Sequence, residues 1–207
     1  MHAGVATLGW ILAIVATATS APQLIHLLKG EKVGIEPLTP ALASTTMVAW
    51  VIFTLGIKDW PAFASSVGPL LIWASIFSLL VLHKVPRYVS SMALGVTLIA
   101  SLIIIRVFHI LPIPAFGVLA AIGSTIWALP QLVKVHRDRG RDISGVSFYA
   151  YLFLALENAG WIVYAITRGV PQYALAPMIQ FPACLGIAVY AHKAKQAQKR
   201  VLEPKLP

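Results

Sequence analysis

The chain has 207 residues, of which 58% are hydrophobic and 11% charged, and its formal net charge is +9. Its mean hydropathy is +0.82, whereas a soluble domain carries roughly a quarter charged residues, so the composition excludes an ordinary soluble domain. It predicts an all-α polytopic membrane protein, and the single cysteine, Cys184, excludes a fold that depends on an intrachain disulfide.

Seven apolar runs are each long enough to cross the hydrocarbon core as a helix, which takes about 20 residues. They are predicted at 4–28, 39–57, 60–82, 88–108, 113–134, 145–167 and 171–191. Charged residues, glycine and proline separate the runs, as turns require. The second and third runs are separated only by a short segment with Lys58, Asp59 and Pro61, which predicts a hairpin rather than one long helix.

Lysine and arginine are distributed unevenly between the two sets of alternating loops. Only Lys58, Arg106 and Arg168 lie on one side, and the other 13 of the 16 basic residues share the side of the C-terminal tail. Because cytoplasmic loops carry the excess of basic residues, we expect the N-terminus outside and the C-terminus in the cytoplasm, in a plasma (inner) membrane. The charge is then a topology signal and a contact for anionic lipids, and no nucleic-acid partner is expected.

The first and fifth runs share a pattern of small residues that leads into Pro-Gln. The pairs at a constant offset of 108 residues are Gly9 and Gly117, Ala13 and Ala121, Thr17 and Thr125, Pro22 and Pro130, and Gln23 and Gln131. Small residues at every fourth position form one helix face, on which another helix can approach closely.

The match continues into the following run at an offset of 111. At this offset Trp161 of the sixth run corresponds to Trp50 of the second, and Tyr164 corresponds to Phe53. The predicted units are a first triple-helix bundle at 1–84, a linker helix at 85–111, a second triple-helix bundle at 112–193 and a cytoplasmic tail at 194–207. Three helices reverse the side on which the chain emerges and a single linker helix restores it, so this 3+1+3 layout makes the two bundles parallel.

The two Pro-Gln segments lie near the cytoplasmic ends of equivalent helices. A proline inside a helix removes one backbone hydrogen bond and weakens the helix locally. Pro22-Gln23 and Pro130-Gln131 therefore form a symmetric pair of weak points, which is typical of a hinge or gate. The alternative is that both prolines only kink their helices.

The twice-occurring Pro-Gln, the tryptophan in the second helix of each unit and the 3+1+3 layout together resemble the PQ-loop family. Within it, the seven-helix form is similar to the SWEET sugar transporters, whose halves resemble the bacterial SemiSWEETs. The resemblance covers nearly the whole chain. It implies that a small solute passes by alternating access through a central pathway between the two bundles.

The resemblance also implies a solute platform. In sugar-carrying relatives the tryptophans that match Trp50 and Trp161 stack on the solute from opposite sides. The alternative is that these indoles anchor the helices at the membrane interface, as most membrane tryptophans do. We expect that simpler role for Trp10, Trp60 and Trp73.

One polar feature of the sugar transporters is missing. They carry an asparagine in the third helix of each half, and the matching positions here are Ser65 or Ser66 and Ala176 or Pro177. The symmetric pair of hydrogen-bonding amides expected for a sugar is therefore absent. Ser65, Ser66 and Gln180 are candidate replacements.

The sixth run carries a second set of candidates. Helical spacing places Glu157, Trp161 and Tyr164 on one face, with Asn158, the only asparagine of the chain, on its flank. Glu157 is the only acidic residue deep inside an apolar run, where a charge costs several kcal/mol and burial favours the neutral carboxyl. Proton coupling or solute contact is one interpretation of Glu157, and a structural hydrogen bond to a neighbouring helix is the other.

These features predict a transporter for a small polar solute, sugar or amino-acid-like. The alternative is a PQ-loop-type receptor or accessory protein that binds a ligand without transporting it. The sequence contains no Ser/His/Asp grouping and no metal-ligand spacing, so we expect no enzyme activity, no cofactor and no metal. The expected partners are the solute and membrane lipids, and a homo-oligomer is left open.

Overall fold

The computed structural model describes residues 3–29, 38–82, 86–137 and 148–202, which are helical apart from short turns. Its seven helices are α1 Ala3–Leu28, α2 Leu38–Gly56, α3 Trp60–Leu82, α4 Pro86–Val107, α5 Ile113–Arg137, α6 Phe148–Arg168 and α7 Gln172–Leu202. Each coincides with one predicted run to within a few residues, except at the C-terminal end of α7. The predicted turn between the second and third runs separates α2 from α3.

The last helix is longer than its apolar part. The seventh run was predicted to end at 191, whereas α7 continues to Leu202. The continuation is rich in alanine, lysine, glutamine and arginine, which are among the strongest helix formers. Hydropathy indicates where the apolar segment ends. The helix itself continues beyond that point because the following residues have high helix propensity.

Four described helices contain stretches long and apolar enough to cross a membrane. These stretches are Ala3–Pro22, Trp60–Leu80, Ser90–Val107 and Gln172–Val189. Shorter apolar stretches lie in α2 and α5, at Pro40–Gly56 and Ile113–Ile126. The length and composition of these helices indicate an integral membrane protein.

The first three and the last three helices, called the two halves below, pair internally in the same way. In the first half α3 packs against both α1 and α2, and in the second half α7 packs against both α5 and α6. Among the described helices, the halves pack along two seams, α1 on α6 and α2 on α5, and α4 packs on α2 and α3 of the first half.

Glycine allows the close approach of helices in both seams. A Cβ atom on Gly9 of α1 would lie 2.8 Å from a ring carbon of Tyr164 on α6, and one on Gly117 of α5 would lie 3.1 Å from Cδ2 of Phe53 on α2. Both distances are shorter than an ordinary van der Waals contact, so no larger residue fits without a shift. The stripe of small residues predicted from the sequence therefore includes points where the halves touch.

One expected interfacial tryptophan is instead part of the core. Trp73 is 4% exposed and packs in a buried cluster with Ala43 and Ile76. By contrast, Trp10 and Trp60 are 48% and 56% exposed. The prediction for Trp73 was wrong because α3 is apolar on all sides, so its sequence does not indicate which face is buried.

Candidate functional site

Five aromatic side chains from three helices form one cluster between the halves, here called the aromatic cluster. Its members are Trp50, Phe53, Trp161, Tyr164 and Tyr173. The ring centroid of Tyr173 lies 5.7 Å from that of Trp50 and 5.8 Å from that of Trp161. Such distances are within the range of favourable aromatic contacts.

The aromatic cluster brings the two predicted platform tryptophans together through Tyr173. The Tyr173 ring stacks on Trp50 with an interplanar angle of 29° and is tilted by 45° against Trp161. Both indoles are partly buried against the core. Sequence reasoning missed Tyr173, because a tyrosine at the start of a membrane helix is equally typical of an interfacial anchor.

Ser124 connects three helices beside this cluster. Its hydroxyl oxygen accepts a hydrogen bond of 3.0 Å from Nε1 of Trp50, and its backbone carbonyl accepts one of 2.6 Å from Nε2 of Gln180. Among the predicted polar candidates, Gln180 thus reaches a neighbouring helix. Sequence reasoning missed Ser124, although it directly precedes Thr125 of the small-residue stripe.

Three other polar candidates bond to the backbone of their own helix. The hydroxyls of Ser65 and Ser66 donate to the carbonyl of Ala62 at 2.7 Å and 2.9 Å. The amide of Asn158 donates to the carbonyl of Leu154 at 2.7 Å. Short polar side chains in apolar helices often bond to their own backbone in this way, so these three hydrogen bonds do not link helices within the described residues.

A buried carboxylate joins the halves at one end of the α1/α6 seam. The Asp59 side chain is fully buried and accepts hydrogen bonds from the Tyr164 hydroxyl at 2.8 Å and from Nε of Arg168 at 3.1 Å. It also accepts a weak bond of 3.4 Å from the backbone N–H of Ala62, as an N-cap of α3 does. Asp59, Tyr164 and Arg168 are called the Asp59 cluster.

The backbone explains why these charges meet. Lys58 follows α2 with a φ of 57°, and Gly169 follows α6 with a φ of 66°. A left-handed residue of this kind commonly ends a helix. The N–H groups of Asp59 and Val170 then each bond to a carbonyl five residues back. Two equivalent turns thereby place Asp59 and Arg168 at corresponding ends of the halves.

Sequence reasoning treated Asp59 only as a turn signal and Arg168 only as a topology signal. The sequence predicts the same side of the membrane for both, since each lies at a break between runs on the predicted side with few basic residues. What was not readable is that the two loops meet, because that depends on how the halves pack.

Glu157 lies in the same seam, away from the Asp59 cluster. Its Oε2 is 3.3 Å from the hydroxyl oxygen of Thr19 on α1. Leu12 contacts the position of Gly160, where a Cβ atom would lie 2.6 Å from Leu12 Cδ2. From the Gly9 contact to the Thr19 contact, residue numbers rise along α1 and fall along α6, so the two helices are antiparallel.

The predicted hinge residues lie within helices. Pro22 is an exposed residue inside α1, which continues past it to Leu28. The backbones of Gln23, Pro130 and Gln131 belong to α1 and α5. Their side chains lie outside the part of the chain that the structure describes.

In comparisons with known proteins, no family model and no curated relative matches the chain. A functional proposal therefore depends on the sequence pattern and the geometry described above.

Proposed function

We propose that the chain is a membrane carrier of the PQ-loop type, resembling SWEET transporters, which moves a small polar solute by alternating access. In this proposal all seven helices span the membrane, as two parallel triple-helix bundles joined by α4. The observation that carries it is the repeated helix pairing, in which the described helices of the two halves pack along the α1/α6 and α2/α5 seams, and the aromatic cluster and the Asp59 cluster join the halves beside them. Carriers built from parallel repeats work by rocking such halves against each other.

The composition of the seams supports movement between the halves. At Gly9 and Gly117 the helices touch without an interlocking side chain. The polar contacts between the halves are few, and each is confined to one part of a seam. Two packed surfaces of this kind can exchange one arrangement for another without unfolding either half. The Pro22 and Pro130 segments would supply flexible points at the end opposite to the Asp59 cluster.

The Asp59 cluster would close the outer end of the pathway. A single buried carboxylate of the first half there receives two side-chain hydrogen bonds from the second half. Opening this end requires that the Tyr164 and Arg168 contacts break, while water replaces them. The basic-residue distribution favours the outside for this end and the cytoplasm for the Pro-Gln segments.

The aromatic cluster would hold the solute. Flat indole faces suit the apolar face of a sugar ring or the side chain of an amino acid, and ligand sites combine such faces with a few polar groups. Gln180, Ser124 and the Tyr173 hydroxyl would be those groups, since the Tyr173 hydroxyl is buried without a hydrogen bond to any described residue. Tyr173 lies between the two indoles, so it has to move for a solute to stack on both.

Uptake into proteoliposomes containing the purified protein tests this proposal. The panel is radiolabelled glucose, sucrose, alanine and lysine. We expect uptake of at least one of them, and we expect Trp161→Ala to reduce it ten- to a hundredfold, because burial of an aromatic side chain contributes about 1.5–3 kcal/mol.

Trp60→Ala is the matched control, since this indole is 56% exposed and should leave uptake unchanged. Saturable binding of a panel compound without uptake would instead favour the ligand-binding receptor or accessory protein. Neither binding nor uptake across the panel would contradict a carrier for these solutes.

A further inference from the structure

Glu157 and Asp59 are the two carboxyl groups in the described part of the chain. Asp59 is neutralised by Arg168, whereas Glu157, in the α1/α6 seam, has no cationic partner in the described part of the chain. We propose that Glu157 is a proton-binding site, protonated while α1 and α6 are packed together, that couples solute transport to proton movement. The coupling rests on the carrier proposed above, but the proton site itself does not.

The hydrogen-bond geometry at Thr19 accommodates a proton on Glu157. The Thr19 hydroxyl oxygen lies 3.0 Å from the carbonyl of Ala16 and 3.3 Å from Oε2 of Glu157. A hydroxyl has one proton, so it can donate fully to only one of these oxygens. If Glu157 is protonated, its O–H donates to Thr19, which donates to Ala16, and both contacts are satisfied.

The surroundings of Glu157 favour the same state. Its helix packs against α1 and α7 among the described helices. Thr19 faces it from α1, the neutral thiol of Cys184 is its titratable neighbour on α7, and the indole N–H of Trp161, one turn along α6, is within hydrogen-bonding reach of its carboxyl. None of these groups carries a positive charge, and an unpaired buried carboxylate is costly.

The seam also provides a route for releasing the proton. Thr19 and Glu157 belong to different halves, so their contact separates when this end of the seam opens. Water then reaches the carboxyl, which ionises and transfers its proton to that water. For the seam to close again, the carboxylate takes a proton from water on the side to which it is exposed. If the two exchanges occur on opposite sides, one proton crosses per cycle.

Infrared spectroscopy of the protein in lipid vesicles tests the proton site without any solute. At pH 7 the wild type should show the carbonyl stretching band of a neutral carboxylic acid, and Glu157→Gln should lose it. Glu36→Gln, which changes a carboxyl between α1 and α2, should keep the band. A spectrum in which Glu157→Gln removes only carboxylate bands would overturn the proposal.

The coupling is tested with the solute that the panel identifies, in vesicles containing a pH-sensitive dye. Wild-type vesicles should show proton movement that requires the solute, and its sign distinguishes symport from exchange. Glu157→Gln should keep solute exchange at equal pH but lose accumulation driven by a pH gradient, whereas Glu36→Gln should behave as wild type.

Equal gradient-driven accumulation by Glu157→Gln and wild type would overturn the coupling. A neutral Glu157 in the infrared spectrum, together with no transported solute, would contradict the carrier but not the proton site. The two failures are therefore distinguishable.

Discussion

The α1/α6 and α2/α5 seams share a packing arrangement and differ in chemistry. Gly9 meets Tyr164 in one seam, and Gly117 meets Phe53 in the other, at equivalent positions of the repeat. The Tyr164 hydroxyl reaches Asp59 across the halves, whereas the phenylalanine has no hydroxyl to offer. The two seams thus have similar contact distances but different polar groups.

The same contrast holds further along the seams. The repeat position of Glu157 is Thr46, which is 4% exposed and packs against Gly123 of α5. The carboxyl of one seam is therefore matched by a small hydroxyl in the other. We infer that polar substitutions act mainly through α1/α6, and that the α2/α5 seam responds mainly to changes of volume.

The largest expected effect is the loss of the carboxylate that joins the halves. Asp59→Ala leaves the Arg168 guanidinium without its partner, and breaking a buried pair costs about 3–5 kcal/mol. Because Arg168 is 24% exposed, we expect about 3 kcal/mol, the lower end of that range. Thermal and denaturant unfolding in detergent measure the change.

Two further variants test whether the loss of stability in Asp59→Ala comes from the broken pair with Arg168. Lys58→Gly should leave stability nearly unchanged, since a glycine readily adopts the positive φ of this position. Adding Arg168→Ala to Asp59→Ala should recover part of the loss, because no unpaired charge then remains. If the effects of the two substitutions on the free energy of unfolding simply add in the double variant, the pairing of Asp59 with Arg168 is contradicted.

Added volume should distinguish the two seams next. Gly9→Ala places a Cβ atom 2.7 Å from Pro61 and 2.8 Å from the Tyr164 ring, both rigid groups. Overpacking of this kind costs about 1–3 kcal/mol, and we expect about 2 kcal/mol in unfolding experiments. Gly117→Ala meets Cγ of the flexible Gln172 side chain at 2.9 Å and the Phe53 ring only at 3.1 Å, so its cost should be smaller.

Gly186→Ala is the control for these glycine variants. No atom lies within 4 Å of the added Cβ, and the helix should gain about 0.5–1 kcal/mol in stability from the lost flexibility. If Gly117→Ala were as costly as Gly9→Ala, the seams would be equally tight.

Removal of single hydroxyls tests the polar contrast at a smaller scale. Tyr164→Phe loses the hydrogen bond to Asp59 and should cost about 1.5 kcal/mol, because Asp59 keeps its contact with Arg168. Tyr173→Phe removes a buried hydroxyl that bonds to no described residue, so its stability should be unchanged or higher. Unfolding midpoints of the two variants give the comparison, and a Tyr164→Phe variant as stable as the wild type would mean that the Tyr164 bond contributes nothing.

The sequence was sufficient to predict the helices and the glycines at which the halves come close. Hydropathy and turn residues located all seven helices, and the constant offsets located the glycines of both seams. These signals are local or periodic, so no knowledge of packing was needed. The same reasoning predicted that Trp50 and Trp161 occupy equivalent positions.

Contacts between distant residues were not predictable in this way. Tyr164 and Asp59 are 105 residues apart, and nothing in either local sequence specifies the other as its partner. The apolar helices add a second obstacle, because a helix that is hydrophobic on all sides does not indicate its buried face. Trp73 was misassigned for this reason.

The smallest expected effect concerns the polar contact of the α2/α5 seam. Trp50→Phe and Ser124→Ala each remove one partner of the 3.0 Å hydrogen bond between Nε1 and the hydroxyl. A neutral hydrogen bond of this kind contributes about 1 kcal/mol, so the double variant should be about 1 kcal/mol more stable than the sum of the single effects predicts. Unfolding of the two single variants and the double variant measures this interaction energy, and Trp10→Phe, at an indole that is 48% exposed, is the control. An interaction energy of zero would mean that this hydrogen bond adds no stability and that packing contacts alone stabilise the α2/α5 seam. A value well above that of the Tyr164 contact would reverse the comparison, because the polar link would then be stronger in α2/α5 than in α1/α6.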